Sequence, residues 1–420
     1  MTQATQDPSA PFQGNGASAP RASCCDAVIV AESAKWGKAR NPLLSVVVPV
    51  FNTAPYVRRA LDCLATSASR HHQIEVIVVH DGGSDGALSV AESWVRHSEI
   101  PACLIDQPNS GLSMARLSGL HHAHGLFLGF LDSDDFADVE VLLAMAAAAL
   151  AHGCDTVICR SVIVDGATLR TAPFYDAWLW HEIMRGVSFR RLTLEQEPRL
   201  LRLEPNANTR ILRRSFIDRV GIIFPPGLLF EDLPQHVRGI SRAGVIGLFN
   251  ETGYFYRINR PGKITDERSS RRFDILCSVA LARDEALSAA VSDDAGANLT
   301  MQVTRMLHWC AHNVTNVDRP RFIAEAVAFM GTWPASWTNR ALEARLGNER
   351  ELILLSAFLD GQNDVLGSMA GRQRPGLIPI LRFAISPHGA EVRRLALRIV
   401  GRIIFSPARA GRRIIRKFGV

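Results

Sequence analysis

From Leu43 onward, apolar runs of strand length alternate with stretches whose apolar residues recur at helical spacing, the pattern of a parallel sheet covered by helices. Leu44 to Val50 is almost wholly apolar and β-branched, as a strand buried on both faces is. Pro49 and Pro55 frame the loop after it, and a helix is predicted from about Tyr56 to Thr66. A second strand, Glu75 to Val79, ends at His80 and Asp81, where Asp81-Gly82-Gly83-Ser84-Asp85-Gly86 turns the chain into a helix over Ala87 to His97. A third strand, Ala102 to Ile105, leads through Asn109-Ser110-Gly111 into a helix over Leu112 to His122. The fourth, Leu126 to Leu131, runs into Asp132-Ser133-Asp134-Asp135. Open α/β sheets bind ligands beyond the carboxyl ends of their strands, so Phe51, Asp81, Asn109 and Asp132 are predicted to converge on one crevice.

Beyond about Ser270 the strand pattern gives way to helical periods over Phe273 to Ala290, Leu299 to Val314, Arg321 to Met330 and Asn339 to Leu359. The expected organisation is a disordered leader over residues 1–42, an α/β domain over 43–265, a helical domain over 270–370 and a basic amphipathic tail over 371–420. The leader is assigned on its Ala, Ser, Pro, Gly and Gln content, which lacks the order of a secretory signal. With 420 residues and 47% hydrophobic content, the chain can bury a large core. Its longest apolar run, Val141 to Ala151, is about half of what a membrane-spanning helix needs.

The net charge of +6 is unevenly spread: from Gly371 to the end there are twelve Arg and Lys against one acid, Glu391. The rest of the chain is therefore mildly acidic, which argues against nucleic acid as a partner of the main domain. In the tail, Val392, Leu395, Ile399, Val400 and Ile403 recur at helical spacing beside a stripe of Arg394, Arg398 and Arg402. Two uses fit that stripe: a helix lying on an anionic membrane surface, or one packed on its own domain with a solvated basic face. Eight cysteines without paired spacing argue against a disulfide framework or a zinc site and fit a reducing cytoplasm.

Chemistry enters at Asp132 and Asp134, which flank a serine just past a buried strand. Hard divalent cations prefer carboxylate oxygen, and Mg²⁺ or Mn²⁺ held by one or two carboxylates completes its shell with waters and substrate phosphates. Capping of the following helix is the alternative use of these acids, and Asp135 suits it.

These residues fall in an ordered series: Val46-Val47-Val48-Pro49-Val50-Phe51-Asn52, Asp81 to Gly86, Asn109-Ser110-Gly111-Leu112-Ser113-Met114-Ala115-Arg116, Phe130 to Asp135, Phe224-Pro225-Pro226-Gly227-Leu228-Leu229-Phe230-Glu231-Asp232, and Tyr256-Arg257. From about Leu43 to Thr265 the series resembles the family 2 inverting glycosyltransferases. The resemblance implies a GT-A, Rossmann-like, mostly parallel sheet flanked by helices, here followed by a C-terminal α-helical domain. It implies a nucleotide-sugar donor, commonly UDP-linked, and a product such as a bacterial surface polysaccharide, with a glycan or lipid-linked saccharide as acceptor. Carried over residue by residue, it puts Pro49 and Phe51 at the base pocket and gives Asp81 a hydrogen bond from uracil. Asn109 and Arg116 would contact the donor, Asp132 would lie on the ribose side and share the metal, and Asp134 would be the principal metal ligand. Asp232 would be the base, with Glu231 orienting its loop or binding acceptor, and Arg257 and Lys263 would meet the phosphates; Arg260 lies in the same loop.

The chain departs from the family pattern at Phe51, where Tyr is usual, at His80, where Asp is usual, and at Leu117, where Asn is usual. His80, last in its strand, is expected to be buried and hydrogen-bonded to neighbouring backbone. Trp178 and Trp180 are open to two uses, packing or stacking on a sugar ring. Acceptor binding, self-association into a homo-oligomer and membrane docking are the roles open to the helical region, and docking would set the enzyme on the inner face of the plasma membrane. Two other function classes share parts of this pattern. A sugar nucleotidylyltransferase needs a glycine-rich loop after the first strand, which Phe51-Asn52-Thr53-Ala54-Pro55 lacks; a non-catalytic sugar-binding scaffold would be expected to have lost Asp134 and Asp232.

Overall fold

The computed structural model of the chain describes residues 27–38, 41–66, 73–260, 262, 268–371 and 377–391. Strand β1 (Val28–Glu32) lies at the sheet edge, followed by β2 (Leu44–Val50), α1 (Ala54–Leu64), β3 (Ile74–Asp81), α2 (Ala87–Arg96), β4 (Ala102–Gln107), α3 (Leu112–His121) and β5 (Phe127–Phe130). The short β6 (Phe136–Ala137), α4 (Val139–His152), β7 (Thr156–Asp165), β8 (Thr171–Pro173), α5 (Ala177–Met184) and β9 (Phe189–Leu192) come next. The sheet is completed by β10 (Arg210–Arg213), α6 (Arg214–Val220), α7 (Asp232–Ser241) and the long β11 (Ile246–Ile258).

The strand order is β1-β4-β3-β2-β5-β10-β7-β11-β6, with β8 on β7 and β9 on β11. Strands β4, β3, β2 and β5 run parallel, β1 is antiparallel to β4, and β10 is antiparallel to both β5 and β7. The chain steps from β2 to β3 and β4 on one side, then returns to place β5 on the other. The order therefore reverses at β2, and the crevice opens between the carboxyl ends of β2 and β5. Pro49 can sit in a central strand because it lies past the last β2–β5 register pair, Val47 with Phe130.

The chain assigned above to a disordered leader contributes an element here. Val28–Glu32 pairs with β4, and the Ser33 hydroxyl bonds the Ile100 carbonyl at 3.0 Å. Residues 1–26 and 39–40 of that segment and the tail beyond Glu391 lie outside the described residues, as does Lys263.

After the sheet come α8 (Asp274–Ser288), α9 (Asp293–Asn313), α10 (Arg319–Met330), α11 (Ala335–Glu343), α12 (Glu349–Leu359), α13 (Asn363–Ala370), α14 (Leu377–Ile385) and α15 (Pro387–Glu391). The single helical run expected over Asn339 to Leu359 is two helices. Gly347, at φ 87°, lies between them, and α12 opens with an Asn348/Glu351 capping box. These helices do not form a separate core. One apolar cluster runs from Ile158 and Leu179 through Leu233 and Val237 to Leu307, Phe322 and Phe358. The helical region thus supports the α7 side of the sheet, where the acidic pair begins.

Candidate active site

The loops at the carboxyl ends of the strands are tied to one another by side-chain bonds. The Asp85 carboxylate accepts the backbone N–H of Ala54 at 2.7 Å and of Ala87 at 3.1 Å, so it binds the first turns of both α1 and α2. Asn52, in the left-handed region at φ 51°, accepts the Ser84 N–H at 3.0 Å. Asp81 is buried and accepts Gln107 Nε2, Ser110 N and Gly111 N, each at 2.8 Å, which fixes the β4–α3 turn carrying Asn109. Gly82 is required where it stands: its φ is 70°, and a Cβ would lie 2.6 Å from the Asn109 nitrogen. Pro49 is buried within β2, whereas Phe51 and Asn109 are exposed at the crevice rim. His80 is buried, but its partner is the Asp106 carboxylate at 2.7 Å rather than neighbouring backbone.

At the end of β5 the acids divide into distinct roles. Asp132 accepts Arg116 Nη2 at 3.1 Å and Asn208 Nδ2 at 2.9 Å. The Asp134 carboxylate accepts Arg260 Nε, and its carbonyl oxygen accepts Arg257 Nε at 2.7 Å. Asp135 accepts the Tyr254 hydroxyl and, at 2.7 Å, the Arg257 backbone N–H. Burial, followed by the charges of Asp134 and Asp132, pushes the Asp135 carboxyl well above the usual range. Asp135 is not the cap expected from sequence. Strand β6 intervenes, α4 starts four residues later, and Asp138 accepts the Glu140 and Val141 N–H groups at 3.0 and 3.2 Å.

The second acidic group arrives on a constrained loop. Gly227 and Phe230 both have positive φ, 73° and 65°, and for Phe230 the left-handed conformation costs about 1–2 kcal/mol. Helix α8 holds that loop: Asp274 accepts the Leu229 N–H at 3.1 Å, and the Ser278 hydroxyl donates to the Leu229 carbonyl at 2.9 Å. Glu231 and Asp232 follow at the start of α7. Both meet Arg116, whose Nη1 lies 2.9 Å from Glu231 Oε1 and 2.7 Å from Asp232 Oδ1. The Arg116 guanidinium is 1% exposed, so three carboxylates from β5 and α7 share one buried cation. Phe224 and Phe130 flank it at 5.1 and 5.8 Å. The other Asp232 oxygen accepts the Ala207 N–H at 3.2 Å.

Arg116, expected at the donor, is engaged by these carboxylates instead. Asn208, Tyr254 and Arg210 were not singled out from sequence; of these, Tyr254 lies two residues before the Tyr256-Arg257 pair. Arg210 Nη1 donates to His236 Nδ1 at 2.9 Å; burial and the Arg210 charge hold that histidine well below its usual pKa, so the neutral ring donates from Nε2 to the Leu201 carbonyl. Trp180 is core, while Trp178 is 44% exposed with the Arg202 guanidinium 4.9 Å from its ring centre.

Burial, then the charge of Asp232, raises Glu231 to about 7 against the opposing pull of Arg116. Between pH 4.5 and about 7 the folded chain therefore holds a proton that the unfolded chain has released, and stability falls as pH rises through that window. Glu231→Gln is expected to flatten this slope. Urea midpoints at about pH 5 and about pH 7.5 measure it, and an unchanged slope assigns the titration to other groups.

A mostly parallel sheet with these strands, ending in an Asp-x-Asp turn beside the switch point, is of the GT-A class. Residues 45–218 match the family described as Glycosyl transferase family 2. It is 26% identical over 226 residues to the uncharacterized glycosyltransferase EpsJ of Bacillus subtilis (strain 168), covering 54% of this chain and 63% of the relative. It is 26% identical over 220 residues to the poly(ribitol-phosphate) beta-N-acetylglucosaminyltransferase TarS of Staphylococcus aureus, covering 52% of this chain and 36% of that protein. The match therefore spans less than two thirds of the length of these curated relatives. Among solved structures, S. aureus TarS 1-349 in complex with UDP-GlcNAc superimposes with a TM-score of 0.60 over 85% of this chain and 91% of that one, at 20% identity, a likeness of fold.

Proposed function

We propose that the chain is an inverting glycosyltransferase that moves a sugar from a UDP-linked donor to a glycan or lipid-linked saccharide hydroxyl, in bacterial surface glycan synthesis at the inner face of the plasma membrane. The observation that carries this reading is the buried Arg116 guanidinium joining Asp132, on the Asp-x-Asp turn, to Asp232 on α7. Two acidic groups brought together in this way are what a single in-line displacement at an anomeric carbon requires. The solved TarS complex with UDP-GlcNAc, a protein of the same fold, supports the choice of nucleotide.

On the donor side, Phe51 stacks the base, with Pro49 behind it, and Asp81 and Asn109 set the pocket edge. Asp134 and Asp132 would hold Mg²⁺ or Mn²⁺. Their oxygen-only donor set suits a hard cation, and with no cluster of three or more metal-ligating side chains among the described residues, phosphate oxygens would complete the shell. Such a cation would supply charge neutralisation for the departing diphosphate. Arg257, near the end of β11, and Lys263, six residues further along the sequence, would add positive charge for the diphosphate. Asp232 takes the proton of the acceptor hydroxyl, a contribution of about 10²–10⁴ in rate. Glu231 holds the base loop through Arg116.

Purified chain incubated with Mn²⁺ and a panel of UDP-, GDP- and dTDP-sugars is expected to release nucleoside diphosphate from the UDP class. Release of pyrophosphate from a nucleoside triphosphate and a sugar phosphate would identify a nucleotidylyltransferase instead. Binding of a nucleotide sugar without release, across a panel of saccharide acceptors, would identify a sugar-binding scaffold.

A further inference from the structure

Of the three acids after β5, Asp132 and Asp135 are balanced by residues of the protein interior: Arg116 and Asn208 for the first, Tyr254 and the Arg257 N–H for the second. Asp134 is different. Its carboxylate is balanced by Arg260, a residue beyond the end of β11. Both side chains of this pair are largely buried, at 12% and 11% exposure, so the ion pair is shielded from water and from salt. Arg260 also stands 5.6 Å from the centre of the Tyr56 ring, and Arg257 grips the Asp134 carbonyl, so the carboxylate is presented towards Arg260 by its own backbone.

Arg260 Nε occupies one Asp134 oxygen, and a divalent cation at the same carboxylate would meet that like charge within a few ångströms, so the two cations oppose each other there. We propose that Arg260 is a built-in competitor for the divalent cation: it satisfies Asp134 in the nucleotide-free enzyme and leaves it when the donor arrives, turning its guanidinium to the diphosphate oxygens. Arg is suited to both partners, since its planar fork matches carboxylate and phosphate alike. The consequence is coupling. Cation alone binds weakly because it must displace Arg260, whereas cation with nucleotide binds well because the displaced guanidinium gains a new anion. This inference rests on the assignment of Asp134 as metal ligand in the proposed function.

The test is Mn²⁺ binding to the full chain, read from the electron paramagnetic resonance signal of free Mn²⁺, with and without UDP, and independent of turnover. Arg260→Gln is expected to bind Mn²⁺ alone about tenfold more tightly than the wild type, the equivalent of one charge-assisted hydrogen bond, and to lose most of the tightening produced by UDP. Arg260→Lys, which keeps a charge in reach, is expected to stay closer to wild type. Equal Mn²⁺ affinity in the wild type and Arg260→Gln, with binding abolished in both by Asp134→Asn, overturns the competitor and leaves the metal assignment standing. Mn²⁺ binding that survives Asp134→Asn, or that is absent even with UDP, overturns both.

Discussion

Replacing Asp232 with Asn is expected to lower transfer by about 10²- to 10⁴-fold while UDP affinity stays at the wild-type level. The substitution keeps the volume of the side chain, and its amide oxygen still accepts the Ala207 N–H that now reaches Asp232 Oδ2 at 3.2 Å. What is lost is the ability to take a proton. Burial raises the Asp232 pKa, and the Arg116 guanidinium opposes that rise. A carboxylate in that balance is a stronger base than a solvated aspartate. The measurement is a pair: initial rate of sugar transfer under saturating donor, and UDP binding by calorimetry. Near-wild-type transfer would remove the base from Asp232. A loss of UDP affinity equal to the loss of rate would make the residue part of donor binding instead.

The largest structural effect is expected from Arg116→Met. Methionine fills the channel between Phe130 and Phe224 but leaves Asp132, Glu231 and Asp232 facing one another without their shared cation. Breaking a buried pair from one side costs about 3–5 kcal/mol. Protonation of the stranded carboxyls relieves part of that. Burial already raises Glu231 and Asp232, and without the opposing guanidinium the variant regains stability as pH falls and is weakest above neutrality. Denaturant titrations of both proteins across that range read the loss directly. Arg116→Lys rescues little, because one ammonium cannot span three carboxylates from two elements in the way a guanidinium fork does. A melting curve unmoved by Arg116→Met would mean that the cluster contributes nothing to the fold.

The units from β2 to β5 were legible because each strand is a short run of apolar, often β-branched residues, and each turn is marked by Gly, Asn or Asp at its strand end. The acids themselves were legible for the same reason: Asp132, Asp134 and the Glu231-Asp232 pair interrupt apolar sequence. Their partners were not. Arg116 is 16 residues from Asp132 and 116 from Asp232 along the chain, and no local period predicts a bond of that span. Asp135 was misjudged because two residues of strand, Phe136 and Ala137, stand between it and α4, an element too short to leave a pattern. Val28–Glu32 was missed because a single exposed edge strand has no alternation to distinguish it from irregular chain. The α11–α12 break, by contrast, was written in Gly347-Asn348 followed three residues later by Glu351, a stop and start signal that a run of apolar residues on either side obscured. That the helical region shares one core with α7 could not be read from periodicity, which reports a buried face and not what covers it.

A crystal of the full chain grown with UDP and Mn²⁺ places the cation by its anomalous scattering. A single peak in coordination contact with the Asp134 carboxylate and the diphosphate, with no cation on Asp232, is the predicted result. A peak held by Glu231 and Asp232, with none at Asp134, would contradict it.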